Sequence, residues 1–396
     1  MELDRRRFLG CAAVMLGGSP GIRGQETAPA GGPGPQIGVI GLGRRGFELL
    51  KRLLKIPGAN LSSACDVWGP HLDKVASLSV DPQRTGHFGK VLFASDAVLV
   101  AVPHHLHKPV CLMALGYERD IYLEMPVTHS LEEGAELIAA ANKAKRIVQS
   151  GHQQILNPIN PKVRELLKSG EIGQIRSITG EVHIDQPTRV GYTPVPAYSK
   201  LEDTPWHLFL GDVADHPYNP KHFFHWGLYW DYSCGLAGSE IVPMVAVIHT
   251  LTGATAPEKV TARGQILQWK ELTEVPDHLS AILEYPEGFV ARLSVATTGM
   301  YPPPSLVIHG SKGTIEYEPN LCKLYRNSGD PIEFRAEGDA TALHLEAFLQ
   351  AIKTRSTPAA DLAFGINAAN VGHLINLSAK LGKTVGWDKT AGKAIA

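Results

Sequence analysis

Ile37-Gly38-Val39-Ile40-Gly41-Leu42-Gly43-Arg44-Arg45-Gly46 carries an apolar strand straight into Gly-x-Gly-x-x-Gly. Each glycine has a physical role in a dinucleotide cradle. Gly41 allows a tight turn, Gly43 lets the backbone approach a pyrophosphate, and Gly46 lets the following helix pack close to its strand. The first turn of that helix faces an anion with unpaired N–H groups. Gly-rich turns are common, so the segments that follow decide what this one means.

Phe47, Leu50, Leu53 and Leu54 share one helical face, and Pro57-Gly58 stops that helix. Residues 61–65 read as a second strand closed by Asp66. Its spacing from Gly41 is close to the roughly 20 residues expected of an acid that accepts hydrogen bonds from a ribose. A strand-terminal Asp is also a common turn residue. In the ribose role its charge repels a 2′-phosphate and favours NAD, while Arg44 and Arg45 leave NADP open. Residues 97–102 are continuously apolar, as in a central parallel strand covered on both faces. They lead into Val102-Pro103-His104-His105-Leu106-His107, at the crevice side of a doubly wound sheet. A further strand at 120–123 precedes Glu124-Met125-Pro126, and Ser130 with Glu133 forms a capping-box pattern. Residues 146–151 supply a further strand, with His152 and Gln153 at its C-terminal end.

The remaining composition narrows the class. With 396 residues, two sizeable cores are possible, and a net charge of -1 with scattered Lys and Arg leaves no basic footprint for nucleic acid. A small-molecule partner is expected. Arg5-Arg6-Arg7-Phe8-Leu9 and the short apolar run to Gly18 resemble a twin-arginine export signal over 1–30, with Ala28-Pro29-Ala30 as the cleavage region. The run falls short of the roughly 20 residues that span a bilayer, so no membrane anchor is expected and the location is periplasmic or otherwise exported. Residues 31–35 continue as a linker rich in Gly and Pro. Cys65, Cys111, Cys234 and Cys322 are too dispersed for a disulfide framework.

Together the Gly41-x-Gly43-x-x-Gly46 loop, Asp66, Pro103-x-His105-x-His107, Glu124-x-Pro126 and the segment from Leu166 to Gly173 resemble the Gfo/Idh/MocA oxidoreductase family. The resemblance implies a Rossmann domain at 36–154 and, at 155–390, an α+β domain with a mainly antiparallel sheet. It implies a bound NAD, with NADP possible, held by Gly41, Leu42, Gly43, Arg44, Arg45, Gly46, Asp66, Val102, Pro103, His104, His107, Glu124, Met125 and Gln153. A homo-oligomer through the exposed sheet face is also implied. The residues agree with such a second domain: 161–169 has helical spacing, alternating segments near 175–184, 260–267, 279–285, 290–295 and 306–308 read as strands, and 343–354 and 366–381 read as helices.

Two departures bear on chemistry. The family's usual Glu-Lys-Pro supplies a lysine, where this chain has Met125, whose thioether moves no proton. Relatives also carry an Asp and a His on one helical face near positions 239 and 243, where this chain has Ser239 and Pro243. The remaining acid–base groups are His105, His152, His225, Asp231 and Tyr232. His225 and His152 are preferred, because imidazole titrates near neutral pH, and Asp231 is the third candidate. A long aromatic stretch between Asp185 and Gly238 suits a carbohydrate, a subunit contact or a private loop core, and its His207, His216, His222 and His225 lack regular metal spacing, so no metal is expected. The functions to separate are an exported NAD(P)-dependent oxidoreductase acting on a sugar with a tightly bound, recycled cofactor, a redox-neutral NAD-dependent glycosidase or lyase, and a nucleotide-binding pseudoenzyme.

Overall fold

The computed structural model describes residues 34–78, 80–184, 195–196, 205–298, 305–388 and 392–395. The export signal expected at 1–30, most of the linker and part of the aromatic stretch lie outside the described residues.

Six short strands form a parallel sheet: β1 (Gln36–Ile40), β2 (Asn60–Cys65), β3 (Gln83–Thr85), β4 (Ala97–Val100), β5 (Asp120–Leu123) and β6 (Val148–Ser150), in the order β3-β2-β1-β4-β5-β6. β4 and β5 are buried at every position, the outcome of being covered by helices on both faces. The covering helices are α1 (Arg44–Leu53), α2 (Gly69–Ala76), α3 (Phe88–Ala94), α4 (His107–Gly116) and α5 (Glu133–Ala144). The strand order reverses between β1 and β4, so the crevice of this doubly wound sheet opens beyond their C-terminal ends. One expectation is corrected in detail. Glu133 opens α5 instead of sitting in its third position, and its carboxylate accepts the His129 N–H (2.6 Å), so the capping box with Ser130 does not form.

After α6 (Asn160–Lys168) the chain builds a ten-stranded sheet from β7 (Ile175–His183), β8 (Lys259–Gln265), β9 (His278–Tyr285), β10 (Phe289–Ala296), β11 (Leu306–Gly310), β12 (Gly313–Glu318), β13 (Leu321–Arg326), β14 (Ile332–Arg335), β15 (Val385–Asp388) and β16 (Lys393–Ile395). It is antiparallel except where β7 lies parallel to β10. β9 alternates buried and exposed residues along most of its length, the period-two signature of a sheet with one covered face. The covered face packs on α9 (Val242–Thr252) and α11 (Leu362–Leu381) through Met244, Val245, Ile248, Leu374 and Ile375.

Between β7 and β8 the chain forms two short helices, α7 (Trp206–Leu210) and α8 (Pro220–Phe224), in an aromatic insert that runs from residue 205 to about residue 234. The C-terminal helices return to the first sheet. Leu345 and Phe348 of α10 (Ala340–Thr354) join Ile37, Leu49 and Tyr122, while Leu362, Ile366 and Ala369 of α11 join Ile121 and Leu137. Contacts from sequence-distant ends therefore close the first core. Among the described residues, no helix is long and apolar enough to cross a membrane.

Candidate dinucleotide site

β1 delivers the glycine loop to the crevice, and each glycine has a different reason to be there. Gly41 adopts φ 89°, and a Cβ on it would lie 2.3 Å from the Ala101 carbonyl oxygen. At Gly46 a Cβ would lie 1.9 Å from the Gly41 carbonyl oxygen, so only a missing side chain brings α1 that close to the loop. Gly43, at the start of α1, has an ordinary φ of -58°, and a Cβ there would meet nothing within 4 Å. Packing therefore demands Gly41 and Gly46, while Gly43 faces open space. Helix α1 begins there without a side-chain cap and without an acid in its first turn. Those are the conditions under which helix N–H groups remain available to an anion.

Asp66 follows β2 with its carboxylate turned into the loop. Its Oδ2 accepts the Leu42 N–H at 2.7 Å and the His71 Nδ1–H at 3.1 Å, and its Oδ1 accepts the Trp68 N–H at 2.8 Å. The side chain retains 10% exposure, so an oxygen lone pair can still reach a ligand hydroxyl. Leu42 itself is buried.

The two arginines of the loop divide. Arg44 is exposed. Arg45 reaches instead across the end of β4, and its Nε–H donates to Glu124 Oε1 at 2.8 Å while Nη1 lies 3.3 Å from Glu48. Burial raises the Glu124 carboxyl above its ordinary value, and Arg45 opposes that shift. Arg45 Nη2 is buried without a hydrogen-bond partner.

The loops after β4 and β5 are tied by His107, whose Nδ1 lies 2.8 Å from the Pro126 carbonyl oxygen and Nε2 2.9 Å from that of Val102. A neutral ring donates to only one of them. Pro103 precedes a single 3-10 turn that holds His104 and His105. His104 Nδ1 accepts the Cys234 N–H at 3.0 Å, and its ring meets Trp226 edge-on at 4.9 Å. His105 Nε2–H donates to the Phe209 carbonyl at 2.7 Å, which fixes the tautomer and leaves a buried, unpartnered Nδ1. Burial pushes His105 and His107 down to about 4, and His104 well below the usual imidazole range.

Met125 packs partly buried against Ile155, Val242 and Ala246. At the end of β6, His152 is buried, its Nδ1 is 3.0 Å from the Ser150 hydroxyl, and burial lowers it to about 3. Its Nε2 and the Oε1 of Gln153 are buried without partners. His225 is buried at the end of α8, and Asp231 is exposed on the insert. Ser239 lies in a π-helical turn (Ala237–Ile241) with its hydroxyl donating to the Gly235 carbonyl, and Pro243 follows in the first turn of α9.

The aromatic stretch resolves largely as a private core. Trp206 stacks on Phe209 at 5.1 Å, and Phe209, Phe223 and Tyr232 pack around them. His207 is exposed, whereas His216 Nε2 and His222 Nδ1 converge on the Tyr232 hydroxyl at 2.7 and 3.1 Å. One residue that sequence reasoning overlooked joins this core: Trp68, two positions after Asp66. A large aromatic two positions after the acid that closes β2 was the available signal.

A parallel sheet with this order, a glycine loop whose middle glycine faces open space, and an acid at the end of β2 define a dinucleotide-binding α/β protein. The chain belongs to the Gfo/Idh/MocA oxidoreductase family. The family's NAD-binding Rossmann fold matches residues 36–152, and its C-terminal alpha/beta domain matches residues 211–386.

Among relatives, the chain is 28% identical over 165 residues to an inositol 2-dehydrogenase of Corynebacterium glutamicum, a match that covers 40% of this chain and 48% of that protein. The matched segment thus spans about half the length of that relative. A 2,7-anhydro-N-acetylneuraminate hydratase of Escherichia coli is 25% identical over 287 residues, covering 71% of this chain and 67% of that one. The fold also matches an oxidoreductase from Agrobacterium radiobacter solved in complex with NAD+, L-tartaric acid and magnesium. The TM-score is 0.70 at 15% identity, over 89% of this chain and 98% of that one.

Proposed function

We propose that this protein is an exported NAD(P)-dependent oxidoreductase that acts on a sugar or sugar derivative and keeps its cofactor bound through the catalytic cycle. The observation that carries the cofactor assignment is the open side of Gly43 above an uncapped helix start, with the Asp66 carboxylate turned into the same loop. Asp66 supports NAD over NADP, since a 2′-phosphate beside it meets like charge. A nicotinamide, when bound, supplies hydride transfer. The names of the C. glutamicum and E. coli relatives support a polyol or sugar substrate. Retention of the cofactor follows from the proposed export, because a compartment outside the cytoplasm is not expected to supply a free nicotinamide pool.

In place of the family's lysine, a histidine moves the hydroxyl proton. His152, neutral with a value near 3, suits accepting a hydrogen bond more than taking a proton at neutral pH. Asp231 sits at the exposed surface. His225 is therefore our assignment for the proton carrier: His225→Ala abolishes turnover, and undiminished turnover refutes the role. A homo-oligomer through the exposed sheet face, where Ile282 is 45% exposed, completes the proposal and is checked by light scattering on the purified protein.

A second reading, redox-neutral elimination through transient oxidation beside the scissile bond, gains support from the E. coli relative, whose named activity is that of a hydratase. One experiment separates these readings from a pseudoenzyme. The cofactor is released from purified protein and identified, and its absorbance is followed while bound as candidate sugars are added. Net reduction supports the oxidoreductase, cycling without net change supports elimination, and bound cofactor that never cycles identifies a pseudoenzyme. Absence of any nucleotide refutes all three.

A further inference from the structure

The insert touches the loops that follow the two strands flanking β1, one on either side of the glycine loop. On one side, Trp68 of the loop after β2 meets Phe224 edge-on at 5.1 Å and Phe223 at 6.1 Å. On the other, His105 of the loop after β4 donates its Nε2–H to the Phe209 carbonyl and its backbone N–H to the Tyr232 carbonyl, and its ring packs on both side chains at 5.5 and 5.2 Å. Farther along, His129, beyond β5, lies with Nε2 3.0 Å from the Trp230 carbonyl oxygen. β2 and β4 are the two neighbours of β1. Two inter-strand spacings, about 10 Å, separate them, with the glycine loop between.

A single aromatic cluster, Trp68-Phe223-Phe209-Tyr232 with Trp206 and Leu210, therefore runs from one side of the loop to the other. In the glycine loop between those two sides, the Cβ position of Gly43 meets nothing within 4 Å. The floor is open and the sides are bridged. From this arrangement we infer that the 205–234 insert is a third wall of the dinucleotide site, and that the contact of Trp68 with Phe223 and Phe224 must part before the dinucleotide can leave.

This wall is distinct from the Asp66 and glycine contacts, which any open Rossmann cleft offers. It rests on the nicotinamide reading above and gives that reading a structural means of retention. Its residues lie outside the groups that hold phosphate or ribose: Phe224 is on α8 and meets Trp68 ring to ring. Truncating either ring removes an edge-to-face contact and its buried area while leaving the cradle whole. Release should quicken by roughly ten- to a hundredfold, since the lost contact stabilises only the closed arrangement.

The test uses the full chain and two single variants from opposite sides of the contact, Trp68→Leu and Phe224→Leu, with thermal unfolding to verify that each is folded. Each protein is loaded with NADH and chased with excess NAD+, and release is followed by nicotinamide fluorescence. Slow release from the wild type, faster release from both variants, and a double variant no faster than the quicker single one support the wall, because the two residues then act through one contact. Release within twofold of wild type in both variants overturns it while leaving the cofactor reading intact. No NADH binding to any of the proteins overturns both.

Discussion

The different reasons for the three glycines make a sharp prediction. Gly46→Ala places a Cβ 1.9 Å from a carbonyl oxygen, where 3.4 Å begins ordinary contact, so α1 and the loop must separate by more than an ångström. Overpacking of this kind costs about 1–3 kcal/mol, and backbone, unlike a flexible side chain, cannot swing aside. The Cβ of Gly43→Val meets nothing within 4 Å beyond its chain neighbours, and the position needs no unusual backbone angle, so the variant should unfold at close to the wild-type temperature. Its branched side chain instead fills the space an anion would take beside the α1 N–H groups. Losing two charge-assisted hydrogen bonds at about 1.5–3 kcal/mol each weakens binding by roughly 10² to 10⁴-fold. Thermal unfolding of nucleotide-free protein and a fluorescence titration with NADH separate the effects. Wild-type affinity in Gly43→Val refutes the placement of a pyrophosphate at this loop, and wild-type stability in Gly46→Ala refutes the packing argument.

Three further outcomes follow from named contacts. Arg45→Met leaves the Glu124 carboxylate buried without its cation and should destabilise by about 3–5 kcal/mol. Adding Glu124→Gln should recover most of that, and an additive loss measured by denaturant unfolding would contradict the pairing. His105, His107 and His373 titrate near 4 and His152 and His344 near 3 in the folded protein, because burial disfavours the charged ring, against 6.5 for an ordinary imidazole. The unfolded chain therefore binds more protons below pH 6.5. Stability is complete above that pH and is lost as pH falls toward 4, by up to about 1.4 kcal/mol per ring per pH unit, readable as a fall in Tm between about pH 6.5 and 5. Cys65, Cys111, Cys234 and Cys322 are buried free thiols, and burial raises all four, to about 12 for Cys111 and about 11 for Cys322. A thiol reagent should leave them unmodified until the protein unfolds; rapid labelling of native protein would contradict this packing.

Much of the fold was legible because its signals are local. The glycine loop, the apolar runs of β4 and β5, and the period-two alternation of β9 and β10 each state their structure within a few residues, and the strands that were expected differ from the observed ones by a residue or two at their ends, whereas β3 and β12 to β16 were not expected. Asp66 was legible by spacing alone. Arg45 was not: from the sequence it is a loop cation beside a phosphate site, yet it turns away to Glu124, which directly follows β5, the strand two places over in the sheet. The histidines of the insert showed no regular spacing in the sequence, and the convergence of His216 and His222 on the Tyr232 hydroxyl depends on how α8 is set against residues 229–232. The π-helical turn before α9, which carries Ser239, has no local mark either.

By itself, then, the sequence determined that the first sheet opens with a strand–glycine loop–helix unit, ends its second strand in an acid, and that position 125 lacks a lysine, because backbone sterics and side-chain chemistry are properties of the residue and its neighbours. Only the tertiary structure decided what those residues face. It separated the glycine that packing requires from the one that looks onto open space, paired Arg45 with Glu124, and drew an aromatic insert across to Trp68. Such contacts join segments far apart along the chain. They are set by the order of strands in the sheet and the burial of rings against each other, which no single stretch of chain contains.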